Sequence, residues 1–301
     1  MDAREKLLFP RLGFGLGLRA AHYSEALQGN ASVDWFEVVT ESYMEDSGRP
    51  LRILEKVRAN YELAFHGVCL NLGSTDRLNA GSLARLKGLI NRFQPAIVSD
   101  HCCWTGVDGE NLHECMPLPY TEEALNHVAT RVLQAQEALG RRILIENISS
   151  PMEFIHGTMT EWEFLGELCR RADCGLLLDI NSIYINSVNH GFDATAFLKA
   201  MPRERVGQIH LAGHSRTEAG DGQTYLINSH DQPICDEVWA LYARACALFP
   251  DVSTAVERDG NIPEFSELAA EVMKAKSIHE EIHGERRPPA QPQRPTATAA
   301  L

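Results

Sequence analysis

Arg142-Ile143-Leu144-Ile145-Glu146-Asn147 is the stretch that decides how the chain is read. Apolar and extended-favouring positions run without interruption into a carboxylate and an amide. A continuous apolar run bounded by polar residues reads as a parallel strand buried on both faces. The carboxyl end of such a strand is where barrels and open α/β sheets keep their chemistry. Glu146 is therefore taken as the hub of a metal site. A single strand-end Glu is more often simply solvated, so the assignment draws its weight from repetition elsewhere.

That repetition is present. Working outward from 142–147, strand-like runs recur at 13–18, 34–40, 62–69, 96–101, 175–180, 205–211 and 252–257. Helical patterns separate them at 20–27, 50–60, 80–93, 121–139, 160–172, after a capping Asp193, at 236–248 and at 263–283. Pro50 suits a first helical turn, Thr121 and Thr160 suit N-caps, and Gly140 suits a helix end. Eight strands alternating with eight helices predict a single (β/α)8 TIM barrel over 1–284. A doubly wound sheet alternates too, but would gather its polar residues at one switch point. Here they stand near the end of nearly every strand. Long loops are expected over 102–120 and after the seventh strand. The tail 285–301, rich in Pro, Ala, Thr and Gln, is expected to be disordered.

The 301 residues are 44% hydrophobic and 23% charged, which is ordinary soluble composition. No apolar run approaches the ~18–20 residues that span a bilayer. The start, MDAREKLLFP, lacks the apolar stretch of a signal peptide, so a cytoplasmic protein without a membrane partner is expected. The net charge of −13 argues against nucleic acid as the main partner, since phosphate neutralisation needs a basic face. The eight cysteines form no C-x-x-C pair, which disfavours a zinc knuckle and points to buried free thiols. Cys102 and Cys103 follow the candidate ligand His101, and packing is their plainer reading.

The strand-end residues form a constellation. They are Glu37 and Glu41, His66, His101, Glu146, Asp179 with Asn181, His210 with His214, and Glu257 with Asp259. The loop after the seventh strand adds Asn228, His230 and Asp231. Barrel closure brings such ends to one rim. Imidazoles mixed with carboxylates suit Fe, Mn, Zn or Co, whereas Mg and Ca prefer oxygen alone. The set exceeds one tetrahedral site, and Glu146 or Glu257 can bridge two ions through its two oxygens. Gly13–Gly17 lacks the order of a phosphate loop and reads as a strand whose glycines admit close packing. No G-x-S-x-G elbow is present.

Longer motifs surround these residues: GLGLR (15–19), DWFEV (34–38), HGVCLNLGS (66–74), SDHCCW (99–104) and PLPYTEEAL (117–125). They continue with LIENISS (144–150), CGLLLDINSIYINSVNHGFD (174–193), IHLAGH (209–214) and ERDGNIP (257–263). On these the chain resembles the multinuclear non-haem iron-dependent oxidative enzymes (MNIO), the family of the methanobactin-biosynthesis oxidase, from about Leu12 to Ala275. The resemblance implies a xylose-isomerase-like barrel and an O2-dependent oxidase with a di- or tri-iron Fe(II)/Fe(III) cluster. It implies a ribosomally synthesised precursor peptide as substrate, modified at cysteine, and a separate leader-recognition partner protein. By the same resemblance His66 and His101 bind one iron and share Glu146 with a second. Asn181, His210 and Glu257 complete that second site, and a third uses His230, Glu257 and residue 228. The family usually shows Asp-x-His in that loop, whereas this chain has Asn228-Ser229-His230. An amide oxygen is a neutral, weaker ligand, so the third ion is expected to be held loosely. Asp259, two residues beyond Glu257, is the candidate for proton handling, and Asp179 for orienting a ligand. Rival readings are a metal-dependent sugar isomerase or epimerase on the same barrel, a metal-dependent phosphoesterase, and an idle binding module.

Overall fold

Runs buried on both faces must be covered by helices on one side and fill a lumen on the other. In the computed structural model, which describes residues 8–29, 31–45, 47–68, 70–218, 222 and 224–284, they do both. The first half runs β1 (Phe14–Gly17), α1 (Tyr23–Leu27), β2 (Trp35–Val39), α2 (Arg49–Asn60), β3 (Glu62–Gly67), α3 (Ala80–Phe93), β4 (Ile97–His101), β5 (Trp104–Val107), β6 (Glu110–Met116) and α4 (Glu122–Leu139). The second runs β7 (Leu144–Glu146), α5 (Glu161–Ala172), β8 (Gly175–Asp179), α6 (Ile180–His190), α7 (Ala194–Ala200), β9 (Val206–Leu211), β10 (Ser215–Glu218), β11 (Thr224–Ile227), α8 (Asp236–Leu248), β12 (Ser253–Val256) and α9 (Phe265–His283). Strands β1, β2, β3, β4, β7, β8, β9 and β12 close into a parallel barrel, sealed where β12 pairs with β1. The fold class expected from the sequence is the one observed. Cys69, the first seven residues and the tail 285–301 lie outside the described residues.

The period of two along each strand sets the layers. Trp35, Ala64, Ile97, Leu144, Leu177 and Ala255 form an apolar floor inside the lumen, with Phe9 and Leu12 packed against it. Two positions further along the same strands stand Glu37, His66, Ser99, Glu146, Asp179 and Glu257, all buried. The alternate residues, among them Phe36, Val38, Phe65, Val98, Ile145, Leu176, Leu178 and Leu211, belong to the larger cluster outside the floor. The strands thus carry their chemistry one layer above a dry floor. Gly15 belongs to this design: a Cβ there would lie 2.3 Å from Trp35 Cε2, so the indole fills the space a side chain would need.

Caps fall where the sequence placed them. Thr121 accepts from Ala124 N, Asp193 from Thr195 N, and Gly140 ends α4 at φ 70°. Thr160 and Glu163 form a reciprocal capping box at α5. Two expectations need correction. The loops over 102–120 and after the seventh barrel strand are not structureless: they fold into the antiparallel hairpins β5–β6 and β10–β11. The sixth strand is followed by two helices, not one. Helix α6 starts directly at the strand end, where Asp179 Oδ1 accepts from Asn181 N at 2.8 Å.

Candidate metal centre

Parallel register brings the imidazoles and carboxylates together. His66 stands beside Ser99 across β3–β4, His101 beside Glu146 across β4–β7, and Asp179 beside His210 across β8–β9. Glu146 is the common partner. Its Oε2 lies 3.1 Å from His66 Nε2 and 3.2 Å from His101 Nε2, and its Oε1 lies 3.1 Å from His210 Nδ1. The same His210 Nδ1 is 3.1 Å from Glu257 Oε2, and His210 Nε2 is 2.7 Å from Glu37 Oε1. Two sets of donors converge closely enough to hold a cation: His66 with His101 and Glu146, and His66 with His210 and Glu257.

The surroundings aim these rings. His66 Nδ1 bonds Ser99 Oγ at 2.8 Å, and His101 Nδ1 bonds Gly67 O at 3.0 Å. The backbone carbonyl of Gly67 can only accept, so His101 carries its proton on Nδ1 and offers the Nε2 lone pair to the centre. Gln208 Nε2 bonds Glu37 Oε2 at 2.5 Å and tethers that carboxylate across the lumen.

The donor set fits a divalent transition metal. Buried carboxylates and imidazoles are normally satisfied by hydrogen bonds. Among the described residues Glu146 Oε2 finds none, although two ring nitrogens stand near it, and His230 Nε2 is also without a hydrogen bond there. Donors converging without hydrogen-bond geometry are what a shared ion requires, and the nitrogen–oxygen mixture suits Fe, Mn, Zn or Co. Electrostatics agree. Burial opposes a charged His66, but the adjacent Glu146 outweighs it and holds the imidazole up at about 10. Burial likewise opposes His230, while Asp259 and Glu257 hold it up at about 9. Glu146 and Glu257 are held below the usual carboxylate range against burial, Glu146 by His101, His210 and His66, and Glu257 mainly by His210. Positive charge on these rings balances the buried carboxylates.

The remaining candidates lie in a connected layer beside the two sets. His230 Nδ1 bonds Asp259 Oδ2 at 3.0 Å and lies 3.6 Å from Glu257 Oε2. Asp259, half-exposed, also pairs with Arg19, and His230 and Arg19 together hold its carboxyl below the usual range. A Cβ at Gly213 would lie 1.9 Å from Gln232 O, so glycine there lets the 228–232 loop bring His230 inward. Asn181 is fully buried. Its Nδ2 donates to Asn228 Oδ1 at 2.5 Å and its Oδ1 faces His214 Nδ1 at 2.8 Å. Asn228 Nδ2 donates to Ser182 Oγ at 3.1 Å and to Asp179 Oδ2 at 3.4 Å. Asp179 Oδ2 itself stands 3.9 Å from His230 Nε2. Residue 228 thus turns its oxygen to Asn181, and the carboxylate that faces His230 Nε2 comes from Asp179. Glu41 lies off this layer: its Oε1 accepts from Val68 N and its Oε2 from Thr40 Oγ1.

Glu37 is the residue that sequence reasoning gathered among the strand ends without assigning it to an ion. Its role depends on which strands face each other across the lumen, and β2 and β9 are not neighbours. Cys115 was equally hidden, in a segment read as loop. With His101, Glu146, Asp179 and His230 it lines a cavity of about 500 Å³ above the centre. Cys102 and Cys103 are both buried free thiols, as the packing reading has it, and Cys103 lies beside Cys115.

Comparison with known proteins places the chain among relatives. Residues 13–280 match the model of the family described as RiPP precursor modification enzyme MbnB/TglH/ChrH. A UPF0276 protein of Anaeromyxobacter sp. (strain Fw109-5) is 48% identical over 267 residues, covering 89% of this chain and 93% of the relative. Among solved structures, a D-psicose 3-epimerase aligns with TM-score 0.57 and 13% identity over 90% of this chain and 99% of its own. A xylose isomerase-like TIM barrel protein from Mycobacterium smegmatis aligns with TM-score 0.56 and 13% identity over 88% of this chain and 90% of its own. Likeness at that identity shows the fold alone: a xylose-isomerase-like TIM barrel.

Proposed function

This chain belongs to the MbnB/TglH/ChrH family of RiPP precursor modification enzymes, and from that premise we propose that it is an iron- and O2-dependent oxidase acting on a cysteine of its precursor peptide. The observation that carries the reading is Glu146, whose one oxygen faces His66 and His101 while the other faces His210. A carboxylate so placed can bridge two ions. His66 and His101 would hold one with Glu146, and His210, Glu257 and Glu37 the other, with Asn181 a ligand only after its amide turns. His230, with Asp179 and a share of Glu257, would hold a third more weakly. Iron bound there supplies O2 activation and a Lewis acid that lowers the pKa of a substrate thiol.

The protein's own residues do the rest. Ser99 and the Gly67 carbonyl fix the orientations of His66 and His101. The cavity above, walled by Val68, Ile148 and Leu226 among others, is large enough for a peptide side chain and its flanking backbone. To Asp259, half-exposed between Arg19 and His230, we assign proton handling at the rim, shared with the His230 ring it bonds. A separate protein that recognises the leader of the peptide, and a cytoplasmic setting, complete the proposal. Among the described residues no helix is long and apolar enough to cross a membrane.

The test incubates anaerobically purified, iron-loaded protein with a cysteine-containing precursor peptide, with and without O2, and follows peptide mass. The expected result is a mass change that needs both O2 and the cysteine. A change that proceeds without O2, or equally on a Cys→Ser peptide, overturns the reading. O2-independent conversion of a ketose would instead favour the sugar isomerase alternative.

A further inference from the structure

The cavity above the metal centre has a neighbour. A second cavity, of about 570 Å³, lies beside it, lined by Leu118, Tyr120, Met152, Phe154, Trp162 and Phe192 among others. The two share Ser150 as a common wall. That wall is pinned: Asn186 Oδ1 accepts from Ser150 N at 2.9 Å, and Asn186 Nδ2 donates to Ile148 O at 2.9 Å. On the same segment Met152, Phe154 and Ile155 are left 51%, 45% and 95% exposed. Three large apolar side chains within four residues, in water at the mouth of a cavity, mark a surface that something else covers.

We propose that the second cavity is a subsite that seats an apolar side chain of the substrate peptide, a few residues away from the residue processed at the metal centre. The inference rests on the reading of the first cavity as the peptide's reaction site. A peptide reaching that site from solvent must cross the adjoining surface, and the shared wall at Ser150 makes the two cavities one continuous path. The lining suits such a residue. Glu161, a partly buried carboxyl in this lining, is pushed up to about 8 by desolvation, with Asn186 and Tyr120 as hydrogen-bond partners. At neutral pH it is largely uncharged, so an apolar side chain meets no ion, while the carboxyl can still donate to a peptide carbonyl.

Spacing follows from chain geometry. Ser150 is four residues from Glu146 along the sequence, so the wall lies no more than ~14 Å from the centre at ~3.5 Å per extended residue. An extended peptide covers that in about four residues. The seated side chain therefore belongs roughly three to six positions from the processed cysteine.

The probe is a series of synthetic peptides carrying one central cysteine in a Gly/Ser background. A single leucine is walked through successive positions on either side, and a parallel series has serine for cysteine. Binding to the iron-loaded protein is measured anaerobically by fluorescence anisotropy. The leucine gain is the ratio of affinities against the leucine-free peptide on the same protein. The expected gain is about tenfold, confined to one position within the stated window, as burial of one Leu side chain would give. Phe154→Asp and Met152→Asp, both at exposed positions, should erase it. A gain that is absent, spread evenly over all positions, or intact in both variants overturns the subsite. The serine series separates the two readings. Cysteine-dependent binding without a leucine gain leaves the metal-site reading and removes the subsite. A position-specific leucine gain without cysteine dependence does the reverse.

Discussion

His66 and His101 share one oxygen of Glu146, so losing either ring should unsettle the same ion. Purified without oxygen, the protein is expected to hold about two irons per chain, falling to about one in His66→Ala and His101→Ala. Metal analysis checks this, and undiminished iron in both variants would falsify the assignment. Glu257 serves His210 and stands near His230, so Glu257→Ala should cut turnover more than the 10–100-fold typical of groups that only orient a ligand, roughly beyond 100-fold. Asn228 tests the departure from the family's pattern. Its oxygen is engaged by Asn181, and the carboxylate facing His230 Nε2 is that of Asp179. Asn228→Asp should bring a second carboxylate to that nitrogen and raise iron toward about three per chain. Wild type that already holds three chelator-resistant irons would sink this. Cys115 offers a separate readout. The neighbouring Cys103 thiol and the positive charge of nearby His101 lower it to about 6 against its burial. In metal-free protein iodoacetamide should therefore modify Cys115 first among the described cysteines at neutral pH, since the others whose shift is resolved are raised. Peptide mapping that finds another thiol reacting first would refute it.

At the scale of elements, legibility in the sequence followed periodicity. The barrel strands were readable because each is an apolar run closed by a polar residue. The caps were readable because Thr160, Thr121 and Gly140 are local signals that need no tertiary context. Capping also gives a quantitative check. Thr160→Ala removes one half of the box that starts α5, which should cost about 1 kcal/mol. That lowers Tm by about 2–3 °C, whereas Thr130→Ala, whose exposed hydroxyl bonds back into its own helix, should change it little. Equal shifts in the two melting curves would mean the box contributes nothing. Helix α6 was not readable: INSIYINSVNH is rich in β-branched and amide residues of weak helical preference, and its start is set by Asp179 as cap. Strand β6 was not readable either, because most of its residues are exposed and polar and carry no alternation. The candidate ligands were legible one by one as strand ends. Their partners were not, because Glu37 meets His210 only through closure of strands far apart in sequence.

At the scale of the whole molecule, the centre couples protonation, metal and folding. His66 is raised to about 10 and His230 to about 9 in the metal-free protein, both from an ordinary value near 6.5. A pKa raised by folding gives stability that is fully present below the unfolded value and is lost as pH climbs through the folded one. The metal-free protein should therefore lose stability between about pH 6.5 and 10, as the imidazoles give up the protons that balance Glu146, Glu257 and Asp259. Metal inverts the slope. Ligating rings must be neutral, so binding expels those protons and tightens as pH rises. The difference in Tm between metal-loaded and metal-free protein should then widen steadily from pH 6.5 to 9, and the loaded form should be the less pH-sensitive of the two. Calorimetry in buffers of different ionisation enthalpy should register more than one proton released per chain at pH 7.5. The His66→Ala variant should release fewer and show a flatter metal-free curve, since the most strongly raised ring is gone. A metal-dependent increment that shrinks over this range, or binding that releases no protons, would show that these rings are already neutral in the metal-free protein. The charge balance around Glu146 would then have to come from somewhere other than His66 and His230.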